Sequence, residues 1–100
     1  IYHFSELRLS YLEKTIMYLQ EYGSVYLVRL PVHPKMLDIE NSLMPNFNKK
    51  INQLAKSRKI PYLDMTDNNE QYEFIDGNHL YKTSGAEVSK KIAEWIIMMK

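Results

Sequence analysis

Residues 24–30 (SVYLVRL) and residues 60–65 (IPYLDM) are two short, mainly apolar runs that decide the fold class. The first run is rich in β-branched and aromatic side chains, which is typical of a strand buried on both faces of a parallel sheet. The second run is predicted to be a short, hydrophobic strand. A helical pattern lies between them, so the order is strand, helix, strand, with about 30 residues between the strand starts, as in a βαβ unit. The strands of such a unit are parallel and its crossover is right-handed. The sequence therefore predicts an α/β fold.

Three amphipathic helices are predicted around the two strands. Apolar side chains recur at steps of three and four over residues 5–22 and 45–59, and a further helix is expected from Ser84 onward. Gly23 is expected to end the first helix in the left-handed conformation. Residues 84–87 (SGAE) form a predicted capping box, and residues 37–43 are left open as a separate helical turn. The predicted buried stripes are Leu9, Leu12, Ile16 and Leu19; Met44, Phe47, Ile51 and Leu54; and Val88, Ile92, Trp95 and Met99.

Composition narrows the classes of function. The chain has 100 residues, 45% of them hydrophobic and 25% charged, which fits one domain or part of one. Thirteen basic and twelve acidic residues give a net charge of +1, so binding of nucleic acid through bulk charge is not expected. The absence of Cys excludes disulfides, Cys-ligated zinc and thiol catalysis. The longest apolar run near the C-terminus, residues 95–99, is far shorter than the roughly 20 residues of a membrane span.

An aspartate and a histidine three residues apart, Asp76 and His79, follow the βαβ unit. Parallel strands end at one edge of their sheet, where ligand-binding and catalytic residues collect in open α/β folds. In a tight turn the carboxylate of Asp76 can accept a hydrogen bond from the imidazole of His79, which would orient the ring as a general base for a serine. Gly77 and Asn78 both tolerate the positive φ that such a turn needs. The spacing alone also fits an Asx-turn beside a surface histidine.

Two further residues are predicted to contact substrate. His33 follows the first strand at the same edge of the sheet, where it could bind substrate or an oxyanion, or simply pack or cap between Pro31 and Pro34. Tyr81, like Tyr72, flanks the Asp/His loop and is expected either to line a pocket or to pack on the surface.

A metal site is conceivable because histidine and carboxylate side chains suit zinc. Nothing in the spacing selects such a site, so neither a metal nor another cofactor is expected. The side chains that would form it are His33, Asp67, Asp76 and His79.

The order of these features resembles the C-terminal half of an SGNH/GDSL hydrolase. The resemblance covers residues 5–99, and its specific part is the Asp-x-x-His pair with its spacing to the last helix; the remainder is general α/β pattern. The segments that carry it are residues 28–32 (VRLPV), residues 60–64 (IPYLD), residues 76–80 (DGNHL) and residues 84–85 (SG).

The resemblance implies a fold, a reaction and a location. The fold would be a flavodoxin-like three-layer α/β/α sandwich with parallel strands. The reaction would be ester hydrolysis or acyl transfer by a Ser–Asp–His triad, with Asp76 as its acid and His79 as its base, on a small-molecule or carbohydrate ester. Because envelope-associated members of that family are common, an envelope or extracytoplasmic location is also implied.

The chain departs from the family pattern at the nucleophile. The Gly-Asp-Ser motif and the Gly-x-Asn-Asp motif of the oxyanion hole are both absent, and none of the seven serines is predicted to be the nucleophile. Two parallel strands alone also leave sheet edges unpaired, whereas sheets usually have about 4–6 strands. The chain begins with Ile1 rather than Met. Residues 1–100 are therefore expected to be the C-terminal part of one hydrolase-like domain of roughly 200 residues, inactive by themselves. The missing N-terminal half or a homo-oligomeric partner is expected to supply the further strands.

Two other functional classes stay open. One is a non-catalytic α/β module that dimerises or binds a partner through its exposed sheet edge. The other, a flavodoxin-like receiver or nucleotide binder, would need a Gly-rich or acidic first βα turn, and the residues after the first strand contain none.

Overall fold

The computed structural model describes residues 6–76 and 79–100. Helices and two parallel strands alternate along the chain, which confirms the predicted α/β class. In chain order the elements are α1 (Glu6–Gln20), β1 (Leu27–Arg29), α2 (Pro34–Leu43), α3 (Phe47–Arg58), β2 (Tyr62–Asp64), a 3₁₀ helix (Thr66–Gln71) and α4 (Lys82–Met99).

The two strands pair directly with each other, and the described residues contain no third strand. The N–H of Leu27 donates to the carbonyl of Pro61 at 3.1 Å, and the N–H of Met65 donates to the carbonyl of Arg29 at 3.0 Å. Each strand has three residues, fewer than the sequence pattern predicts. Pro61, just before β2, accepts through its carbonyl but has no N–H to donate to the ladder.

The contacts divide the chain into two compact units. The first contains the described residues up to Leu27 together with Ile39–Leu63, and the second contains Val28–Asp38 and Asp64–Lys100. The core of the first unit lies where α1 meets α3, and its buried side chains include Ile16, at 2% exposure. The buried side chains of this core are Ile16, Leu54, Ala55 and Ile60. Partly buried apolar side chains pack against them: Leu9, Leu12, Val25, Leu27 and Tyr62.

Helix ends in the first unit differ from the prediction. Gly23 does not have a positive φ, so its predicted left-handed role is wrong. The left-handed residue is Lys59, at φ 57°, whose N–H reaches the carbonyls of Ala55 and Lys56 at the end of α3. Leu19, predicted to be buried, is 46% exposed. The side-chain amide of Gln20 instead donates to the carbonyl of Arg58 at 2.9 Å, which stabilises the end of α3.

The region between the first strand and α3 is also more helical than predicted. The segment that includes residues 37–43 forms a full helix, α2, which begins at Pro34. Proline suits a first helical turn because its missing N–H would have no partner there.

In the second unit, α4 begins two residues before the predicted start. Tyr81 is at its N-cap position without a side-chain cap, so the predicted capping box is wrong. Ser84 lies inside the first turn at 6% exposure, where its hydroxyl accepts the N–H of Glu73. Val88 is buried as predicted, whereas Met99 is 45% exposed. No helix in the described part of the chain is long and apolar enough to cross a bilayer.

Candidate active site

The Asp/His segment is held in a short antiparallel hairpin between the 3₁₀ helix and α4. Main-chain contacts close its two arms. The contacts are the Tyr81 N–H to the Glu73 carbonyl at 2.8 Å, the Phe74–Leu80 bridge, and the Ile75 N–H to the His79 carbonyl at 2.7 Å.

Asp76 and His79 meet at the end of this hairpin. The Nδ1 atom of His79 lies 2.8 Å from each carboxylate oxygen of Asp76, and the backbone N–H of His79 donates to Oδ1 at 3.0 Å. A carboxylate only accepts, so in the neutral ring this contact assigns the proton to Nδ1 and leaves the lone pair on Nε2. Such an imidazole is oriented to accept a proton at Nε2, which is the geometry of a general base. Gly77 and Asn78, the predicted turn residues, lie outside the described residues.

Both side chains of the pair are open to solvent. The His79 side chain is 74% exposed and that of Asp76 is 59% exposed. An ion pair at this exposure contributes little to stability because water screens it. The contact therefore orients the imidazole ring more than it stabilises the fold.

His33 lies against the same hairpin, within the second unit. Its ring meets the ring of Phe74 edge to face, with centroids 5.9 Å apart and planes at 64°. Its Nδ1 atom accepts the N–H of Lys35 at 3.1 Å, so the residue also caps the start of α2. The fold thus brings His33 to the arm of the hairpin that leads to Asp76.

The two tyrosines beside the hairpin have different environments. Tyr81 is 51% exposed, and its main chain bonds to Glu73 and to the N–H of Gly85. Tyr72 is 7% exposed, and its hydroxyl accepts a hydrogen bond from the Lys91 ammonium at 3.0 Å. Tyr72 therefore packs inside the second unit, whereas Tyr81 is half exposed at its surface.

Asn69 is a site-supporting residue that the sequence interpretation missed. It is 1% exposed, and its Oδ1 atom accepts the N–H of Val32 at 2.9 Å, directly before His33. This bond fixes the loop after β1. The Nδ2 atom is buried without a partner among the described residues. The only signal in the sequence is that asparagine often bonds to backbone, which does not reveal a partner 37 residues away.

The turn after β2 is stabilised locally. The Oδ1 atom of Asp64 accepts both the N–H and the hydroxyl of Thr66, at 2.9 and 2.6 Å. Thr66 is 4% exposed. The two hydrogen bonds from Thr66 to Asp64 therefore fix the start of the 3₁₀ helix that carries Asn69.

Within residues 6–76 and 79–100, no three His, Asp or Glu side chains converge to hold a metal ion. Comparisons with family models, with curated proteins and with solved structures find no match to this chain.

Proposed function

We propose that this chain is the C-terminal part of a serine esterase or O-acyltransferase of the SGNH/GDSL type, with a flavodoxin-like three-layer sandwich as its complete fold. The observation that carries the proposal is the 2.8 Å contact between Asp76 and Nδ1 of His79. This contact sets the tautomer and the orientation that a triad base requires. The nucleophilic serine comes from sequence outside these 100 residues, because the chain has no Gly-Asp-Ser motif.

In this mechanism His79 carries protons in both half-reactions. Its Nε2 atom takes the proton of the serine hydroxyl as the oxygen attacks the ester carbonyl, and Asp76 stabilises the imidazolium. The imidazolium then protonates the departing alkoxide, which leaves an acyl-enzyme. Water, or an acceptor alcohol in a transferase, then attacks the acyl carbonyl while Nε2 takes its proton. The imidazolium returns that proton to the serine oxygen as the bond to the acyl group breaks, which regenerates the free serine. The solvent exposure of the pair is consistent with access for a small-molecule or carbohydrate ester.

His33 and Tyr81 are the substrate contacts in this proposal. The ring of His33 packs against Phe74 in the hairpin that carries the pair, and the half-exposed Tyr81 lies at the N-cap position of α4, two residues after His79. An aromatic ring at the rim of a site offers apolar area for the acyl or sugar part of an ester.

The test is a measurement of esterase turnover by the full-length protein that contains this chain. With p-nitrophenyl acetate as substrate, His79→Ala is expected to lower kcat by several orders of magnitude, as loss of a triad base does. Lys82→Ala, on the exposed first turn of α4, is the matched control and should retain turnover. Unchanged turnover in His79→Ala would contradict the proposal. The 100-residue chain by itself is expected to be inactive.

The second candidate function is a non-catalytic module that pairs with another copy or partner along the sheet edge. It is favoured by the two-stranded sheet, which within the described residues has no further strand beside β1 or β2. Sedimentation of the purified chain separates the candidates. A stable dimer, together with an upstream sequence that lacks Gly-Asp-Ser, would favour the module.

A further inference from the structure

The hydrogen-bond partner of His33 determines which of its ring nitrogens carries the proton. Its Nδ1 atom accepts the backbone N–H of Lys35 at 3.1 Å. An amide N–H can only donate, so Nδ1 must hold a lone pair. In the neutral ring the proton is then on Nε2, and His33 offers an N–H donor at its far edge.

His79 has the opposite tautomer. Its Nδ1 proton is donated to the carboxylate of Asp76, so its far edge offers an acceptor. The second unit therefore carries one imidazole that can accept a proton and another that can donate a hydrogen bond. Attack on an ester carbonyl needs both, a base for the nucleophile and a donor for the oxyanion that develops.

Three contacts hold the ring of His33 in place. Its Nδ1 atom accepts the N–H of Lys35 at the start of α2, and the ring packs edge to face with the ring of Phe74, with centroids 5.9 Å apart. The backbone N–H of the preceding Val32 donates to the buried Asn69 at 2.9 Å. Phe74 in turn pairs with Leu80, the residue after His79. A donor fixed before substrate arrives needs no reorganisation during the reaction, which is the condition for effective oxyanion stabilisation.

We propose that Nε2–H of His33 donates a hydrogen bond to the carbonyl oxygen of the bound ester and stabilises the oxyanion formed during attack. The inference rests on the proposed esterase or acyltransferase function. It assigns the donor role to a residue of this chain, which lacks a Gly-x-Asn-Asp motif.

Two substitutions separate the donor from the cap. In His33→Asn the side-chain oxygen takes the place of Nδ1 and keeps the cap, since asparagine is a favoured N-cap residue, but the far donor is lost. In His33→Gln the amide nitrogen reaches the position of Nε2, so a donor is retained. In the full-length protein, His33→Asn is expected to lower kcat by about 10²–10³-fold with little change in KM. The kcat of His33→Gln should be at least about tenfold higher than that of His33→Asn.

The outcomes distinguish this inference from the function on which it rests. If His79→Ala abolishes turnover and His33→Asn does not change it, the donor role is overturned and the esterase proposal stands. Equal losses in both His33 variants assign the ring to packing and also overturn the donor role. No turnover in the unmodified protein, or full turnover in His79→Ala, overturns both.

Tautomers provide a readout that needs no activity. In long-range ¹H–¹⁵N spectra of the full-length protein, His33 should show the Nε2–H tautomer and His79 the Nδ1–H tautomer. Spectra of His33→Gln and His79→Gln identify which signals belong to which ring, because each variant lacks the signals of one histidine. A His33 ring protonated on Nδ1 instead would overturn the inference.

Discussion

The hydroxyl of Ser84, in the first turn of α4, accepts a hydrogen bond from the backbone N–H of Glu73 at 2.8 Å. The carbonyl of Glu73 accepts the N–H of Tyr81 at 2.8 Å, so both main-chain groups of one residue are bonded at the base of the hairpin. The helix thereby fixes the arm from which Asp76 extends. Ser84 thus bonds to the main chain of the arm that leads to Asp76.

Ser84→Ala should destabilise the fold by about 1–2 kcal/mol, because it leaves a part-buried N–H without its acceptor. Urea unfolding measures the change. Ser89→Ala, at an exposed position of the same helix, is the control and should stay within about 0.5 kcal/mol of the unmodified chain. Equal stability of the two variants would show that the Ser84 bond has no energetic role.

Asn69→Ala should destabilise the chain by about 1–3 kcal/mol, since the N–H of Val32 loses its acceptor and a buried side chain is truncated. Amide hydrogen exchange gives a local check, because protection at Val32 should fall more than protection in α3. The neighbouring Asn68→Ala, at an exposed position, is the matched control. Retained protection at Val32 would contradict this role of Asn69.

The predictable parts of the site are the local ones. Asp76 and His79 are three residues apart, a spacing at which one tight turn can bring the two side chains into contact, as it does. The strands are predictable because a βαβ unit needs buried, apolar, β-branched runs. Their observed length is not, because it depends on which residues find partners in the ladder.

The contacts that sequence reasoning missed connect distant residues. Ser84 has the sequence of a capping-box residue, yet its hydroxyl bonds to a backbone group eleven residues earlier. Asn69 lies in a polar segment, yet it is buried and bonds to Val32 across 37 residues. Local propensity cannot identify such partners, because the energy that decides the conformation is gained only after the chain has folded.

Asp76→Asn should change the tautomer of His79 while leaving the hairpin intact. The amide oxygen can still accept the backbone N–H of His79, but the amide nitrogen now donates to Nδ1 and favours the Nε2–H ring. Long-range ¹H–¹⁵N spectra of the 100-residue chain report the change directly. Asp67→Asn, at an exposed position of the 3₁₀ helix, should leave the His79 signals unchanged. A ring that stays protonated on Nδ1 in the Asp76 variant would mean that the carboxylate does not set its tautomer.

Lys91→Met should lower the stability of the second unit in a way that depends on pH. The ammonium of Lys91 donates to the hydroxyl of Tyr72 at 3.0 Å and to Gln71 at 3.1 Å, and the Tyr72 bond raises the pKa of Lys91 above its usual value of 10.5. A raised pKa in the folded state means that the stabilisation is complete below the ordinary lysine pKa and is lost as the pH rises through the raised value. The difference in Tm between the unmodified protein and Lys91→Met should therefore be constant from about pH 6 to 9, at most a few degrees because the side chain is exposed. It should begin to narrow above about pH 10.5 and disappear once the pH exceeds the raised value. Lys90→Met, at the adjacent exposed position, is the control for loss of a surface charge. A gap for Lys91→Met that matches this control at every pH would show that the bond to Tyr72 does not contribute to stability.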